Sequence, residues 1–175
     1  MLTKKNEALR FNEGKVRFSL IDFDMFQHMR NAFPYAALIK DTDECISKII
    51  LTLSLIVYTN NKETYASLLI QLQAYSYLLS LFLLDRPFYA SKSYDLTAFE
   101  AMAKVLEYGC TKYDEGNWKK GYINKFSSAD SLFRHLHQIA TGELNDEESG
   151  LPHIGHLMCN VMFLTNDLLY VKRDE

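Results

Sequence analysis

Glycine and proline are scarce in this chain, seven and three among 175 residues. That scarcity argues against an all-β architecture, whose many turns consume both. Cysteine is sparse too. Cys45, Cys110 and Cys159 are far apart, odd in number and form no C-x-x-C pair, so they read as buried free thiols in a reducing compartment. Neither sign of charge dominates: the net charge is -3 and the pI about 6.0, which gives no reason to expect a nucleic-acid backbone as the main partner. A local basic pocket for a small anion stays compatible with that balance. Residues 1–15 have no apolar h-region, so no signal peptide is read and a cytoplasmic location is expected. No P-loop, G-x-G-x-x-G, G-x-S-x-G or H-E-x-x-H occurs, which removes the commonest phosphate, dinucleotide, serine-nucleophile and zinc motifs. There is no H-D dipeptide either, and this argues against the metal phosphohydrolases that use that pair.

Long apolar runs are few. Residues 49–57 are too short to span a bilayer. Residues 68–84 approach the minimum length but are interrupted by Gln71, Gln73, Ser76 and Ser80,. Both read as core or interface helices, and no membrane partner is expected. Two strongly apolar helices in so small a protein are hard to bury alone, which predicts a homo-oligomer.

What the sequence does have is helical periodicity and a 48% hydrophobic content, enough for a sizeable core. A short helix is expected over 23–31, ended near Pro34. Asp41–Asp43 offers an N-cap to a helix whose Ile46, Ile49, Ile50, Leu53 and Val57 fall on one face. A longer helix over 62–84 is apolar nearly all round, the pattern of a helix sandwiched on two sides. Asp95 or Thr97 can cap a helix over 96–113, with Phe99, Met102, Ala103, Leu106 and Cys110 inside. Ser127 or Ser128 caps another, to about 141, ended by Gly142. Pro152 suits the first turn of a last helix over 152–171. The fold class read from this is all-α, a helical bundle.

The chemistry concentrates late in the chain. His135, His137, His153 and His156 lie within 22 positions, with Glu143, Asp146, Glu147 and Glu148 between them. His153, His156 and Asn160 share one helix face by their i, i+3, i+7 spacing, and Asp167 continues the stripe. They read as either a pocket wall or a solvated polar side. His135 and His137 are two apart and cannot point the same way. Arg134 suits a phosphate because its guanidinium donates in a planar fork; a surface ion pair is the ordinary alternative. The acidic loop is a candidate Mg2+ site, since hard cations take carboxylate oxygens together with substrate phosphates, although a solvated loop would look the same. Glu147 is expected to point outward. Lys112, Tyr113, Asn117, Trp118, Lys119 and Lys120 mix cations, an amide and aromatics on which a purine could stack.

Three blocks of residues carry a family resemblance. They are Phe11-Asn12-Glu13-Gly14-Lys15 with Arg17 and Ser19-Leu20-Ile21-Asp22; Val105-Leu106-Glu107-Tyr108-Gly109 with Lys112-Tyr113 and Asn117-Trp118-Lys119-Lys120-Gly121; and Ser131, Arg134-His135-Leu136, Gly142-Glu143, Asp146, Glu148-Ser149-Gly150-Leu151-Pro152-His153, His156, Asn160 and Phe163-Leu164. Their order resembles the phage dATP/dGTP diphosphohydrolase N-terminal family, which is similar to the MazG-like all-α NTP pyrophosphohydrolases. The resemblance implies cleavage of dATP or dGTP between the α and β phosphates, giving a monophosphate and pyrophosphate with Mg2+ or Mn2+. It implies metal binding by Glu143, Asp146 and Glu148, with His153 joining them in catalysis. Lys15, Arg17, Lys112, Tyr113, Asn117, Trp118, Lys120, Arg134, His135, His156 and Asn160 would bind the nucleotide. The second reading is a protein that sequesters a nucleotide without hydrolysis. Residues 1–22 and 95–175 would form a discontinuous diphosphohydrolase-like domain, and 23–94 a helical insertion that the family usually lacks. The MazG-like pairing of E-x-x-E with E-x-x-D on successive helices is not present in that form.

Overall fold

Two side-chain caps start the first two α-helices among the described residues. In the computed structural model, which describes residues 15–26, 38–59, 61–84, 97–122, 124 and 126–171, the Asp41 carboxylate accepts from the Glu44 amide at 2.9 Å and opens α1, Thr42–Tyr58. Asp43 and Glu44 in its first turn complement the positive end of the helix dipole,. Asn61 accepts from the amides of Glu63 and Thr64 and opens α2, Lys62–Leu83. The further helices are α3, Thr97–Gly109, α4, Ser127–Ala140, and α5, His153–Leu169. Short 3-10 turns occupy Phe18–Leu20, Phe23–Phe26 and Asn117–Lys120. The protein is all-α. Among the described residues the extended pairing amounts to one isolated antiparallel bridge, Asn145 with Pro152.

Helix α5 is the axis of the bundle. It packs against α2, α3 and α4, while α1 lies on α2. Consequently α5 is buried nearly all round, from His153 to Leu168, with His156, Asn160 and Phe163 left partly open on one side. The all-round apolar pattern of α2 has the same cause, because α1 covers one side and α5 the other. Leu72, Leu78 and Leu79 are fully enclosed there, each contributing about 1.5–3 kcal/mol of burial. Gln73 crosses from α2 to donate to the Thr165 hydroxyl of α5 at 3.1 Å. Helix α2 is long and apolar enough to cross a membrane, and 67% of that stretch is buried inside the bundle. Buried residues from 20 to 168 form one continuous core.

Several expectations shift in detail. The buried face of α1 is Cys45, Ile49, Thr52, Leu53 and Ile56, while Ile50 and Val57 are exposed, so the face is rotated from the expected one. Apolar residues surround more than half of α1, which leaves its periodicity ambiguous. Helix α3 stops at Gly109, because successive turns from Cys110 to Tyr113 take over its last carbonyls. Cys110 is accordingly half-buried, packed against the edge of the core. Ser127 is the first residue of α4, and Phe126 occupies the cap without a side-chain bond. Ser128 instead donates to Asp167 of α5 at 3.5 Å. Pro152 sits at the cap of α5, one position before its first turn. The helix expected over 23–31 begins as the Phe23–Phe26 turn; its remainder, Pro34 and Asp95 lie outside the described residues. All three cysteines are free. Burial pushes the Cys45 thiol up to about 12 and that of Cys159 upward too, so both are chemically quiet.

Candidate functional site

The centre of the site is a tight loop between α4 and α5. Gly142, at φ 91°, closes α4: its amide donates to Ile139 at 3.1 Å and that of Glu143 to Gln138 at 2.9 Å, the paired bonds of a Schellman turn. The chain then doubles back. The Asp146 amide donates to the Leu151 carbonyl at 2.9 Å, and the His153 amide to that of Leu144 at 2.8 Å. Gly150, at φ 68°, lets its own amide reach the Asp146 carbonyl at 2.8 Å; a side chain there would be strained. This fold-back sets Asp146 and Ser149 beside the first turns of α5.

Asp146 is held firmly. Its Oδ2 accepts from the Ser149 amide at 2.9 Å and the Ser149 hydroxyl at 2.8 Å. Burial works to raise its pKa, but these two bonds outweigh it and the carboxyl sits below its ordinary value,. The same Ser149 oxygen lies 2.9 Å from His156 Nε2. His135 of α4 stacks on the His156 ring at 4.7 Å and 18°, and its Nδ1 lies 2.9 Å from His153 Nδ1. One donor atom each of His135, Asp146 and His153 lies within 4.8 Å of the others. Burial, then the neighbouring imidazoles, pulls the His135 pKa down to about 4. Burial also lowers that of His156 against the pull of Asp146. Near neutral pH these two rings are therefore uncharged, with nitrogen lone pairs available, beside an ionised carboxylate.

Facing this cluster across a cavity of about 510 Å³ are the end of α3 and the loop that follows it, a volume within the range of small-molecule sites. Lys112 pairs with Glu148 and lies 4.7 Å over the Tyr108 ring. The hydrogen bonds to Glu148 and Tyr108 raise its pKa to about 12. Trp118 is only 8% exposed and stacks on Phe163 of α5 at 5.3 Å and 29°. Asn166 anchors the loop by donating to the Trp118 carbonyl at 3.2 Å. The 15–22 segment closes one end: Arg17 pairs with Glu115 at 2.6 Å, Asp22 with Lys119 at 3.0 Å, and Leu20 lines the cavity.

Of the residues singled out from sequence, Lys112, Tyr113, Asn117, Trp118, His135, Asp146, Glu148 and His156 line this cavity. His153 is buried just behind it, against His135. The others stand outside the lining. Glu143 is exposed and accepts from Gln138 at 2.6 Å. Arg134 is exposed and donates to Ser131 at 2.7 Å. Lys120 donates to Asn117 at 3.0 Å, and Asn160 to the His156 carbonyl at 2.8 Å. Lys15 is exposed. His137 and Glu147 are exposed, the latter as expected. Asp167 does not extend the pocket stripe; it accepts from the Tyr122 amide at 3.0 Å near the far end of α5. Ser149 and Tyr108 had no assigned role. The D-x-x-S spacing of Asp146 and Ser149 was the available signal for the first, since a hydroxyl there closes back on the acid.

An all-α bundle that gathers imidazoles, carboxylates and a lysine around a ligand-sized cavity has the geometry of small-molecule sites built between facing helices. Comparison with known proteins makes this specific. Residues 90–173 match the family described as dATP/dGTP diphosphohydrolase, N-terminal. A curated relative named dATP/dGTP diphosphohydrolase, from Salmonella phage PMBT28, is 32% identical over 65 residues. The match covers 37% of this chain and 22% of the relative's own length. No solved structure matches. The matched segment contains α3, α4, α5 and the intervening loops, and so nearly the whole cavity.

Proposed function

We propose that the cavity binds a purine deoxynucleoside triphosphate, dATP or dGTP, and that the chain hydrolyses it to the monophosphate and pyrophosphate with Mg2+ or Mn2+. The observation that carries this reading is the opposition of two walls. One holds Asp146, Glu148 and the histidines; the other holds Lys112, Asn117 and Tyr113. A triphosphate needs both, a cation-binding side for its oxygens and a fixed positive charge to orient it. The names of the family and of the relative support this substrate and reaction class.

Each residue then has a defined task. Lys112, released from Glu148, turns its ammonium to the phosphates. Tyr113, 64% exposed, offers a ring face to the base, whereas Trp118 has one face covered by Phe163 and serves as a rigid wall. Asp146 and Glu148 offer oxygen ligands on the cavity surface, and the close approach of Asp146 to His135 and His153 fits a bound cation. A divalent cation bound there supplies charge neutralisation at the phosphates and a more acidic water. His156, kept neutral by burial, is placed to accept a proton from the attacking water.

The test is incubation of the purified chain with separate nucleotides and either cation, with products resolved by chromatography. Conversion of dATP or dGTP to monophosphate, lost in Asp146→Asn with helix content unchanged, is the expected result. Nucleotides recovered intact but bound would replace hydrolysis with sequestration. Full turnover in Asp146→Asn would overturn the placement of the site.

A further inference from the structure

The carboxylates of the 143–148 loop are the natural candidates for a hard, oxygen-bound cation, but the geometry brings different atoms together. Glu143 is exposed and held by Gln138, and Glu148 is engaged with Lys112. Two imidazoles and one carboxylate converge instead. We infer that His135, His153 and Asp146 form a two-imidazole, one-carboxylate site for a first-row transition dication such as Mn2+, Fe2+ or Co2+, in preference to Mg2+.

Three observations carry this. First, His135 Nδ1 and His153 Nδ1 are 2.9 Å apart. Two ring nitrogens at that distance cannot both carry protons: either one proton is shared between them, or both lone pairs face a cation. Two nitrogens 2.9 Å apart, each about 2.1 Å from a shared cation, subtend roughly 90° at it, the angle between adjacent octahedral positions. Second, the carboxylate is already close. An Asp146 oxygen lies within 4.8 Å of a ring nitrogen of each histidine, and two Ser149 bonds hold Oδ2 of that carboxylate, the kind of outer support that ligating carboxylates receive. Third, the ring orientations are set from outside the cluster. His156 stacks on His135 and is itself held by Ser149, while His153 is buried in the first turn of α5. Neutral imidazole suits transition metals, whereas Mg2+ takes oxygens and retains its waters. The cavity lies directly in front, so open positions on the cation would face the ligand.

This deepens the metal part of the proposed reading, and its test reads metal binding alone. The full chain, stripped with a chelator and dialysed, is titrated with Mn2+ while the electron paramagnetic resonance signal of free aqueous Mn2+ is followed. One Mn2+ per chain is expected, retained against a large excess of Mg2+. Ser149→Ala should weaken binding about 10-fold, the cost typical of an outer-shell partner. Asp146→Asn and His153→Gln should weaken it by more than about 100-fold, beyond that outer-shell cost. Glu143→Gln should leave it unchanged. Because His153 is buried and its variant can unfold, the parent chain is also loaded with Co2+. Proton spectra should then show two exchangeable imidazole N–H resonances, paramagnetically shifted outside the diamagnetic range. Their absence, displacement of Mn2+ by Mg2+ at equal concentration, or loss of binding in Glu143→Gln alone would overturn the assignment. Mn2+ bound in this way by a chain that leaves every nucleotide intact would sink hydrolysis and keep the ligand set. Turnover surviving in a folded His153→Gln with Mg2+ alone would do the reverse.

Discussion

Gly155 is the position at which the helices leave no room for a methyl group. It lies in α5 between His153 and His156, pressed against α3. A Cβ there would fall 2.8 Å from the Ala101 carbonyl oxygen, 3.0 Å from its carbon and 3.2 Å from Val105 Cγ2. Two of these atoms are backbone, so relief requires α3 to move away from α5 rather than a side chain to rotate. Alanine is the better helix former by about 1 kcal/mol, and overpacking costs about 1–3 kcal/mol. With rigid backbone as the obstacle the upper figure applies, leaving Gly155→Ala about 2 kcal/mol less stable. For a chain of this size that lowers Tm by roughly 4–8 °C. Gly109, with nothing within 4 Å of its Cβ direction, is the internal control, and Gly109→Ala should hold or raise Tm. Calorimetry or thermal circular dichroism on the pair decides the matter. If Gly155→Ala gained stability like a solvent-exposed helix position, the close crossing of α3 and α5 would be wrong, and with it the cavity wall formed by Val105 and Leu106.

Other outcomes follow from the same geometry. His135, with a folded pKa near 4 against an ordinary value near 6.5, refuses a proton that the unfolded chain accepts; its contribution is intact above about pH 6.5 and lost as the pH falls toward 4. The Tm of the metal-free chain should therefore fall across that window, and His135→Gln should flatten the fall; an unchanged slope would refute the buried neutral ring. Lys112→Met should raise KM for dATP about 10-fold or more, the worth of a charged hydrogen bond, while barely moving Tm, because its pair with Glu148 is exposed,; an unaltered KM would remove Lys112 from the phosphate side. Leu51, Leu55 and Tyr58 form an exposed apolar stripe on α1, so the chain should sediment as a homo-oligomer, and Leu51→Glu with Leu55→Glu should dissociate it. A monomeric parent would show that the stripe has no copy on it.

Much of the bundle was legible in the sequence because local rules agreed with one another. Asp41 and Gly142 mark helix ends by their own chemistry, and the all-round apolar character of α2 reports its position between α1 and α5. The buried face of α1 was not legible, since Ile50, Leu51, Leu55 and Val57 are as apolar as the residues that are buried. The density of histidines and acids marked the region of the site. It could not say which of them meet. His135 and His153 are 18 positions apart, and their contact depends on the fold-back that Gly142 and Gly150 permit. The same turn directs Glu143 outward, although by composition it is equivalent to Asp146. Trp118 reads as a stacking platform until Phe163, 45 residues away, is seen to cover one of its faces.

The central claim is cleavage at the α-phosphorus of a purine deoxynucleotide. The most direct measurement is turnover of dATP and dGTP in water enriched with oxygen-18, with both products weighed by mass spectrometry. The account predicts one heavy oxygen in the deoxynucleoside monophosphate and none in the pyrophosphate. Label in the pyrophosphate, release of a diphosphate with inorganic phosphate, or unlabelled and intact triphosphate would contradict it.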